Sequence, residues 1–163
     1  MISIITVSLN SGELLEKTVN SVLSQSSSCW ELIIIDGGSN DDSLDFLENI
    51  KNENIKFHHV SDNGIYDAMN IGLGYAKGKI INFLNCGDYY TDITLLEEVL
   101  FENTNRPHLI YISRLQNDIP NVIEKPFTIG NLCHQSIFYN LDRLGDFRFN
   151  TKYKICADFD LTL

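Results

Sequence analysis

The sequence has few cysteines, and it has no long apolar run. No Cys-x-x-Cys pair occurs, so the spacing indicates neither a zinc site nor a disulfide framework. No segment approaches the ~20 consecutive apolar residues that a membrane-spanning helix needs. Residues 2–7 are apolar but lack a preceding basic region and a following cleavage pattern, which favours a strand over a signal peptide. The 4 cysteines are Cys29, Cys86, Cys133 and Cys156.

Basic residues are also scarce. With 12 Lys and Arg against 22 Asp and Glu, the formal net charge is −10, which disfavours nucleic acid or an anionic membrane surface as the main partner. An anionic ligand would need a metal ion, backbone N–H groups or a few local cations. At 163 residues and 44% hydrophobic content, the chain has the size and composition of one globular domain.

Two phosphate-binding fingerprints are missing. The first predicted strand is followed by SLNSGELL and the second by DGGSNDD, and neither contains the Gly-x-Gly-x-x-Gly of dinucleotide-binding folds. A Gly-Lys-Ser/Thr P-loop is absent as well. These absences weaken the dinucleotide-binding alternative.

What the sequence does contain is an alternation of apolar strands and amphipathic helices. Strands are predicted at residues 2–7 and 30–35 and near 55–60, with helices between them, the first capped by Asn10 or Ser11. This order predicts a parallel, right-handed α/β unit. His58 and His59 fall in the third strand and are interpreted as strand residues rather than ligands.

Residues 61–88 carry the most specific pattern. A polar loop precedes a helix whose inward side is predicted to comprise Ile65, Met69, Leu73 and Ala76, with Gly78 as its C-terminal cap. The following apolar run, residues 80–84, predicts a parallel strand covered on both faces. It stops at Asn85, Cys86, Gly87 and Asp88, and the carboxyl end of such a strand is where ligands bind in open α/β sheets.

The segment DNGIYDAMNIGLGYAKGKIINFLNCGD resembles the donor-site core of family 2 glycosyltransferases. The resemblance implies the GT-A fold, a Rossmann-like three-layer α/β/α arrangement with a mostly parallel central sheet, and inverting sugar transfer from a nucleotide-sugar donor. Family members usually carry Asp-x-Asp at this strand end. Here Asn85 and Gly87 stand where carboxylates are common, and Asp88 remains as the residue that would hold a divalent cation, Mn²⁺ or Mg²⁺.

Two further segments, ITVSLN and IIIDGGSNDD, resemble the family's nucleotide-binding segments. The resemblance implies that residues 6–8 line the nucleoside pocket and that Asp36 bonds the base, which favours a UDP-sugar. By the same resemblance His134 would contact the diphosphate or the acceptor, and a structural histidine is an equally good interpretation. The full set of implied donor-binding residues is Thr6, Ser8, Asn10, Asp36, Asp62, Asp67, Asn70, Asn85 and His134.

The segment CADFDLTL resembles the family's carboxylate segment, which implies that Asp158 is the general base on the acceptor hydroxyl. Residues 1–90 would form the donor half and residues 91–163 part of the acceptor half, because typical members continue beyond this motif. The expected acceptor is a saccharide or a lipid-linked saccharide of bacterial polysaccharide biosynthesis. The expected location is the cytoplasm, and association with the inner face of the membrane is left open. Formation of a homodimer is left open as well. The alternative is a shortened domain that binds nucleotide sugar without turnover.

Overall fold

The computed structural model describes residues 1–105, 110–113, 121–122, 135, 137–145 and 148–153. Strands and helices alternate through the first half of the chain, and antiparallel strands follow. A 3₁₀ helix, Asp42–Asn49, connects the second and third strands. The strands are β1 Ile2–Ser8, β2 Trp30–Asp36, β3 Ile55–His59, β4 Ile80–Phe83, β5 Ile110–Ser113, β6 Asn121–Val122 and β7 Ile137–Asn140; the helices are α1 Glu13–Leu23, α2 Ile65–Tyr75, α3 Leu95–Asn105 and α4 Leu141–Leu144.

The described strands form one sheet in the order β3-β2-β1-β4-β7-β5-β6. The strands β3, β2, β1 and β4 are parallel neighbours, whereas β7 runs antiparallel to β4 and to β5. The predicted parallel unit is therefore confirmed. The sheet as a whole is mostly parallel, with reversed strands beyond β4.

Helices cover both faces of the sheet, so the strands are buried on both sides. One apolar cluster joins Ile2, Ile4 and Leu32 to α1 and α3, and the other joins Ile5, Ile33 and the inward side of α2. Every residue of β1, β2 and β4 is buried, as expected for parallel strands in a three-layer α/β/α fold. Among the described residues, no helix combines the length and apolar character needed to cross a bilayer.

Three local predictions were wrong. Ile65 is 43% exposed, and Ala68 takes the inward place on the first turn of α2. Gly78 does not cap α2, which ends at Tyr75; its N–H instead donates to Ser3 Oγ at 2.8 Å. The N-cap of α1 is Gly12, without a side-chain cap, rather than Asn10 or Ser11, because both of those side chains bond elsewhere.

Gly72 sets how closely α2 approaches the sheet. A Cβ added at Gly72 would lie 2.5 Å from Ile5 Cγ2, whereas one at Gly74 would meet nothing within 4 Å. Both residues lie in the same helix, so alanine gains the same helix propensity at each position. Only the packing cost differs.

We predict that Gly72→Ala lowers the free energy of unfolding by about 1 to 3 kcal/mol, because the methyl group overpacks the core against Ile5. The matched variant Gly74→Ala should raise it by about 0.5 to 1 kcal/mol. Urea denaturation of both variants measures the difference. Equal effects of the two substitutions would show that α2 does not pack on β1 as described.

Candidate functional site

The carboxyl ends of β1, β2 and β4 meet at one edge of the sheet. Ser8 and Asp36 are paired in the register of β1 and β2, so both strands end at the same level. The Leu84 N–H, just past β4, donates to the Ile5 carbonyl at 3.0 Å. The segments that follow these three strands therefore lie side by side, where a ligand of an open α/β sheet binds.

Thr18 of α1 fixes the loop after β4. Its buried hydroxyl accepts a hydrogen bond from the Gly87 N–H at 2.9 Å and donates to the Asp88 carbonyl at 2.7 Å. The Asp88 N–H also donates to the Asn85 carbonyl at 3.0 Å, which closes a tight turn in which Gly87 has a φ of 96°. The Asp88 backbone is thus held on both sides, while the residue remains partly exposed.

Three small polar side chains lie between the ends of β1 and β4. The hydroxyls of Ser8 and Ser11 are 2.9 Å apart, and both interact with the Cys86 thiol. Burial raises the pKa of this thiol, hydrogen bonds with Ser11 and Ser8 oppose the shift, and the charge of Asp88 adds to it. Cys86 is therefore a neutral thiol at neutral pH, next to the carboxylate of the same loop.

Asp36 is a buried carboxylate that organises the loop after β2. Its side chain is 0% exposed, and it accepts the N–H groups of Gly38 and Ser39, both at 3.1 Å, and the Ser39 hydroxyl at 2.5 Å. His59 Nδ1, at the end of β3, lies 2.8 Å from Asp36 Oδ2. A buried carboxylate is tolerated when its oxygens are satisfied in this way.

Hydrogen bonds also tie the loop after β1 to the loop after β2. The Asn10 N–H donates to Ser39 Oγ at 2.8 Å, and Asn10 Oδ1 accepts the Asn40 N–H at 2.9 Å. The Gly12 N–H donates to Asp41 Oδ2 at 3.1 Å. Asn10 adopts a left-handed φ of 48°, a conformation that asparagine tolerates better than most residues. The two loops therefore behave as one unit.

Asp62 lies beside this unit, in the loop that leads to α2. Asp62 Oδ1 accepts the Gly64 N–H at 2.8 Å, and its Oδ2 lies 2.6 Å from the position that a Cβ on Gly37 would occupy. Asp67 closes the same loop, because its Oδ2 accepts the backbone and side-chain N–H groups of Asn63, both at 3.0 Å. A side chain at position 37 would therefore displace the Asp62 carboxylate.

Asn70 binds the backbone of a distant segment. Its Nδ2 donates to the Phe149 carbonyl at 2.9 Å, and its Oδ1 accepts the Phe149 N–H at 2.8 Å. The Phe149 ring is buried against Phe83 and Tyr66. The side chain of Asn70 thus fastens residues 148–150 to α2.

The structure brings together six of the residues singled out from the sequence. Thr6 lies within β1, before the edge, where its buried hydroxyl donates to the Leu84 carbonyl at 2.8 Å. Asp67 and Asn70 make the contacts given above, and His134 and Asp158 lie outside the described residues. Direct contact of any of these side chains with a ligand stays a prediction. The six that lie at the common edge are Ser8, Asn10, Asp36, Asp62, Asn85 and Asp88.

Sequence reasoning missed three residues that hold the site in place. Thr18 falls at an inward position of α1 and Ser39 in the polar stretch after β2, and neither position indicates these contacts from the sequence alone. His59 was interpreted correctly as a strand residue, but its contact with Asp36 depends on the register of β2 and β3, in which the two residues are paired. Knowledge of the register between β2 and β3 would have indicated the contact between His59 and Asp36.

The donor set at Asp88 fits a metal ion that arrives with a phosphate ligand. Within the described ranges, no three His, Cys, Asp or Glu side chains gather as a protein metal cage. Mg²⁺, and by the same oxygen preference Mn²⁺, is commonly held by one or two carboxylates, with substrate phosphates and water completing the coordination. One partly exposed carboxylate on a fixed turn meets that requirement.

Comparison with protein families gives a match over most of the chain. Residues 3–157 match the family model described as Glycosyl transferase family 2. The PGL/p-HBAD biosynthesis glycosyltransferase of Mycobacterium bovis (strain BCG / Pasteur 1173P2) is 33% identical over 180 aligned residues, which cover 100% of this chain and 68% of the relative.

Solved structures share the fold. S. aureus TarS 1-349 in complex with UDP-GlcNAc superposes with a TM-score of 0.82 at 20% identity, covering 99% of this chain and 52% of that one. The mannosyltransferase PcManGT from Pyrobaculum calidifontis, in complex with GDP-Man and Mn²⁺, superposes with a TM-score of 0.69 at 16% identity. The match covers 92% of this chain and 47% of that one. The chain therefore spans about half the length of these structures, and the predicted GT-A fold is confirmed.

We predict that Asn70→Ala lowers the free energy of unfolding by about 2 kcal/mol, because the N–H and C=O of Phe149 both lose their partner. Asn70→Asp keeps an acceptor for the N–H but places a carboxylate oxygen against the Phe149 carbonyl oxygen, so it should lower the free energy of unfolding as well. Urea denaturation measures both variants. The absence of any loss in Asn70→Ala would contradict the described attachment of residues 148–150 to α2.

We predict that Cys86 reacts more slowly with iodoacetamide at pH 7 than the exposed Cys29, because burial limits access and its raised pKa keeps it protonated. The rate at Cys86 should rise as the pH increases through that raised pKa. Asp88→Asn should speed the reaction, since it removes the neighbouring negative charge. Mass spectrometry of the two peptides gives the rates, and equal rates at pH 7 would contradict the described burial.

Proposed function

The chain belongs to glycosyl transferase family 2, and we propose that it transfers a sugar, with inversion, from a nucleotide-sugar donor to a saccharide or lipid-linked acceptor. A UDP-sugar is the favoured donor and bacterial polysaccharide biosynthesis the favoured setting. The observation that carries the proposal is the meeting of three strand ends at one edge, with Asp88 fixed by Thr18 and partly exposed there. The matching family and relative supply the reaction class.

The donor would lie across this edge of the sheet. Its nucleoside would bind at the joined loops after β1 and β2, which carry Ser8, Asn10 and Asp36. Asp62 would line one side of this site. Its diphosphate would reach toward Asp88. TarS in complex with UDP-GlcNAc supports a UDP-sugar.

A divalent cation suits the diphosphate end. The chain is acidic, with a net charge of −10, so little positive charge is available to a dianionic leaving group. Asp88 would hold Mn²⁺ or Mg²⁺, which would offset the charge that develops on the diphosphate. The Mn²⁺ in the PcManGT complex supports this assignment.

The chemistry assigned to this chain's own residues is proton removal and positioning. Asp158 would accept the proton of the acceptor hydroxyl, whose oxygen then bonds to the anomeric carbon on the face opposite the diphosphate. The bond from that carbon to the diphosphate oxygen breaks, and the nucleoside diphosphate leaves with the electron pair. Asn70 fastens residues 148–150, which precede the Asp158 segment in the sequence, to α2.

Residues 1–90 would then be the donor half, and residues 91–163 would contribute to the acceptor half. We place the enzyme in the cytoplasm, where nucleotide sugars are made, with peripheral contact at the inner membrane face if its acceptor is lipid-linked. A homodimer is compatible with this assignment. The second candidate is a domain that binds nucleotide sugar without turnover, and release of free UDP from a UDP-sugar distinguishes the two.

We predict that UDP with Mn²⁺ raises the melting temperature, and that chelator abolishes the effect. A ligand that binds only the native state adds about 2.7 kcal/mol of stability when its free concentration is about 100 times Kd. For a domain of this size, that corresponds to a shift of roughly 5 to 10 °C. Differential scanning fluorimetry with UDP, GDP and dTDP ranks the nucleotides.

The control compares two carboxylates. Asp88→Asn should remove the metal-dependent part of the shift, whereas Asp45→Asn changes the net charge equally on the exposed 3₁₀ helix and should leave it unchanged. Release of free UDP from a UDP-sugar then separates the enzyme from the binding domain without turnover. A shift that survives in Asp88→Asn would rule out the proposed metal position.

A further inference from the structure

Several groups donate hydrogen bonds to the Asp36 carboxylate, and His59 is a donor from outside the loop that follows β2. The Gly38 N–H, the Ser39 N–H and the Ser39 hydroxyl all belong to the loop that follows β2. His59 Nδ1 approaches Asp36 Oδ2 at 2.8 Å from the end of β3. A carboxylate can only accept hydrogen bonds, so Nδ1 carries the proton in this contact.

His59 forms the outer wall of an otherwise enclosed group. The Asp36 side chain is 0% exposed, while the His59 side chain is 62% exposed. The backbone just after β3 is also attached to Asp36, because the Val60 N–H donates to the Asp36 carbonyl at 2.9 Å. Removing the imidazole would open Asp36 Oδ2 to water and leave the carboxylate held only by the loop that follows β2.

A change at Asp36 would reach both loops at the edge of the sheet. Ser39 Oγ donates to Asp36 Oδ1 and accepts the Asn10 N–H at 2.8 Å. Asn10 Oδ1 in turn accepts the Asn40 N–H. One continuous chain of hydrogen bonds therefore runs from His59 through Asp36 and Ser39 to Asn10.

We propose that His59 is a positioning residue for nucleotide binding, because its Nδ1–H fixes the Asp36 carboxylate and, through it, the two loops that would hold the nucleoside. This inference rests on the proposed function. His59 itself touches no substrate. Its role is to keep the site in its binding conformation before the donor arrives, which reduces the ordering cost of binding.

The experiment compares three variants of the whole chain. His59→Ala removes the donor, and His59→Asn offers an amide N–H close to the place of Nδ1–H. His58→Ala is the matched control, because His58 is adjacent on β3 and stacks on Tyr75 at 3.7 Å. Amide hydrogen exchange at Gly38 and Ser39 reports loop order, and calorimetric titration with UDP and Mn²⁺ reports Kd.

His59→Ala should speed exchange at Gly38 and Ser39 and raise Kd about tenfold, equivalent to about 1.4 kcal/mol. His59→Asn should restore both values toward the wild type, and His58→Ala should leave both near it. Unchanged exchange or unchanged Kd in His59→Ala, or failure of His59→Asn to rescue, would overturn the inference. If the wild-type chain does not bind UDP, the proposed function fails, while exchange at Gly38 and Ser39 still decides whether His59 orders the loop.

Discussion

Burial of the parallel strands on both faces is the constraint on which the site depends. Every side chain of β1, β2 and β4 is buried, so solvent-facing polar chemistry is confined to the segments that follow the strands. Because the register places Ser8 level with Asp36, these segments form one continuous edge. The composition that builds the core therefore also determines where a ligand can bind.

Two buried side chains anchor the edge through hydrogen bonds. Thr18 anchors the turn that carries Asp88, and Asp36 anchors the loop after β2. Both anchors leave little freedom to the backbone, since a buried polar group without its partners is costly. Under the proposed function, a nucleotide would meet a largely formed site, with the partly exposed Asp88 available to a cation.

Much of the fold could be predicted from the sequence, because alternating apolar strands and amphipathic helices have few stable arrangements. The edge position of Asp36 and Asp88 also followed, since Asp36 ends one buried strand and Asp88 lies in the polar segment after another. The contacts of Asn70 with Phe149 and of His59 with Asp36 did not, because they depend on the packing of distant segments and on strand register. The exposure of Ile65 was missed because its spacing fits the inward side of α2 as well as that of Ala68 does.

The central claim is that a metal-bound diphosphate lies where β1 and β4 end. Paramagnetic broadening by Mn²⁺ tests it directly in amide NMR spectra recorded with and without UDP. The account predicts that, with UDP present, substoichiometric Mn²⁺ broadens the signals of Asp88, Gly87, Ser8 and Ser11 first, and that Asp88→Asn removes this effect. Broadening centred on the acidic 3₁₀ helix, residues 42–49, and independent of UDP would contradict the account.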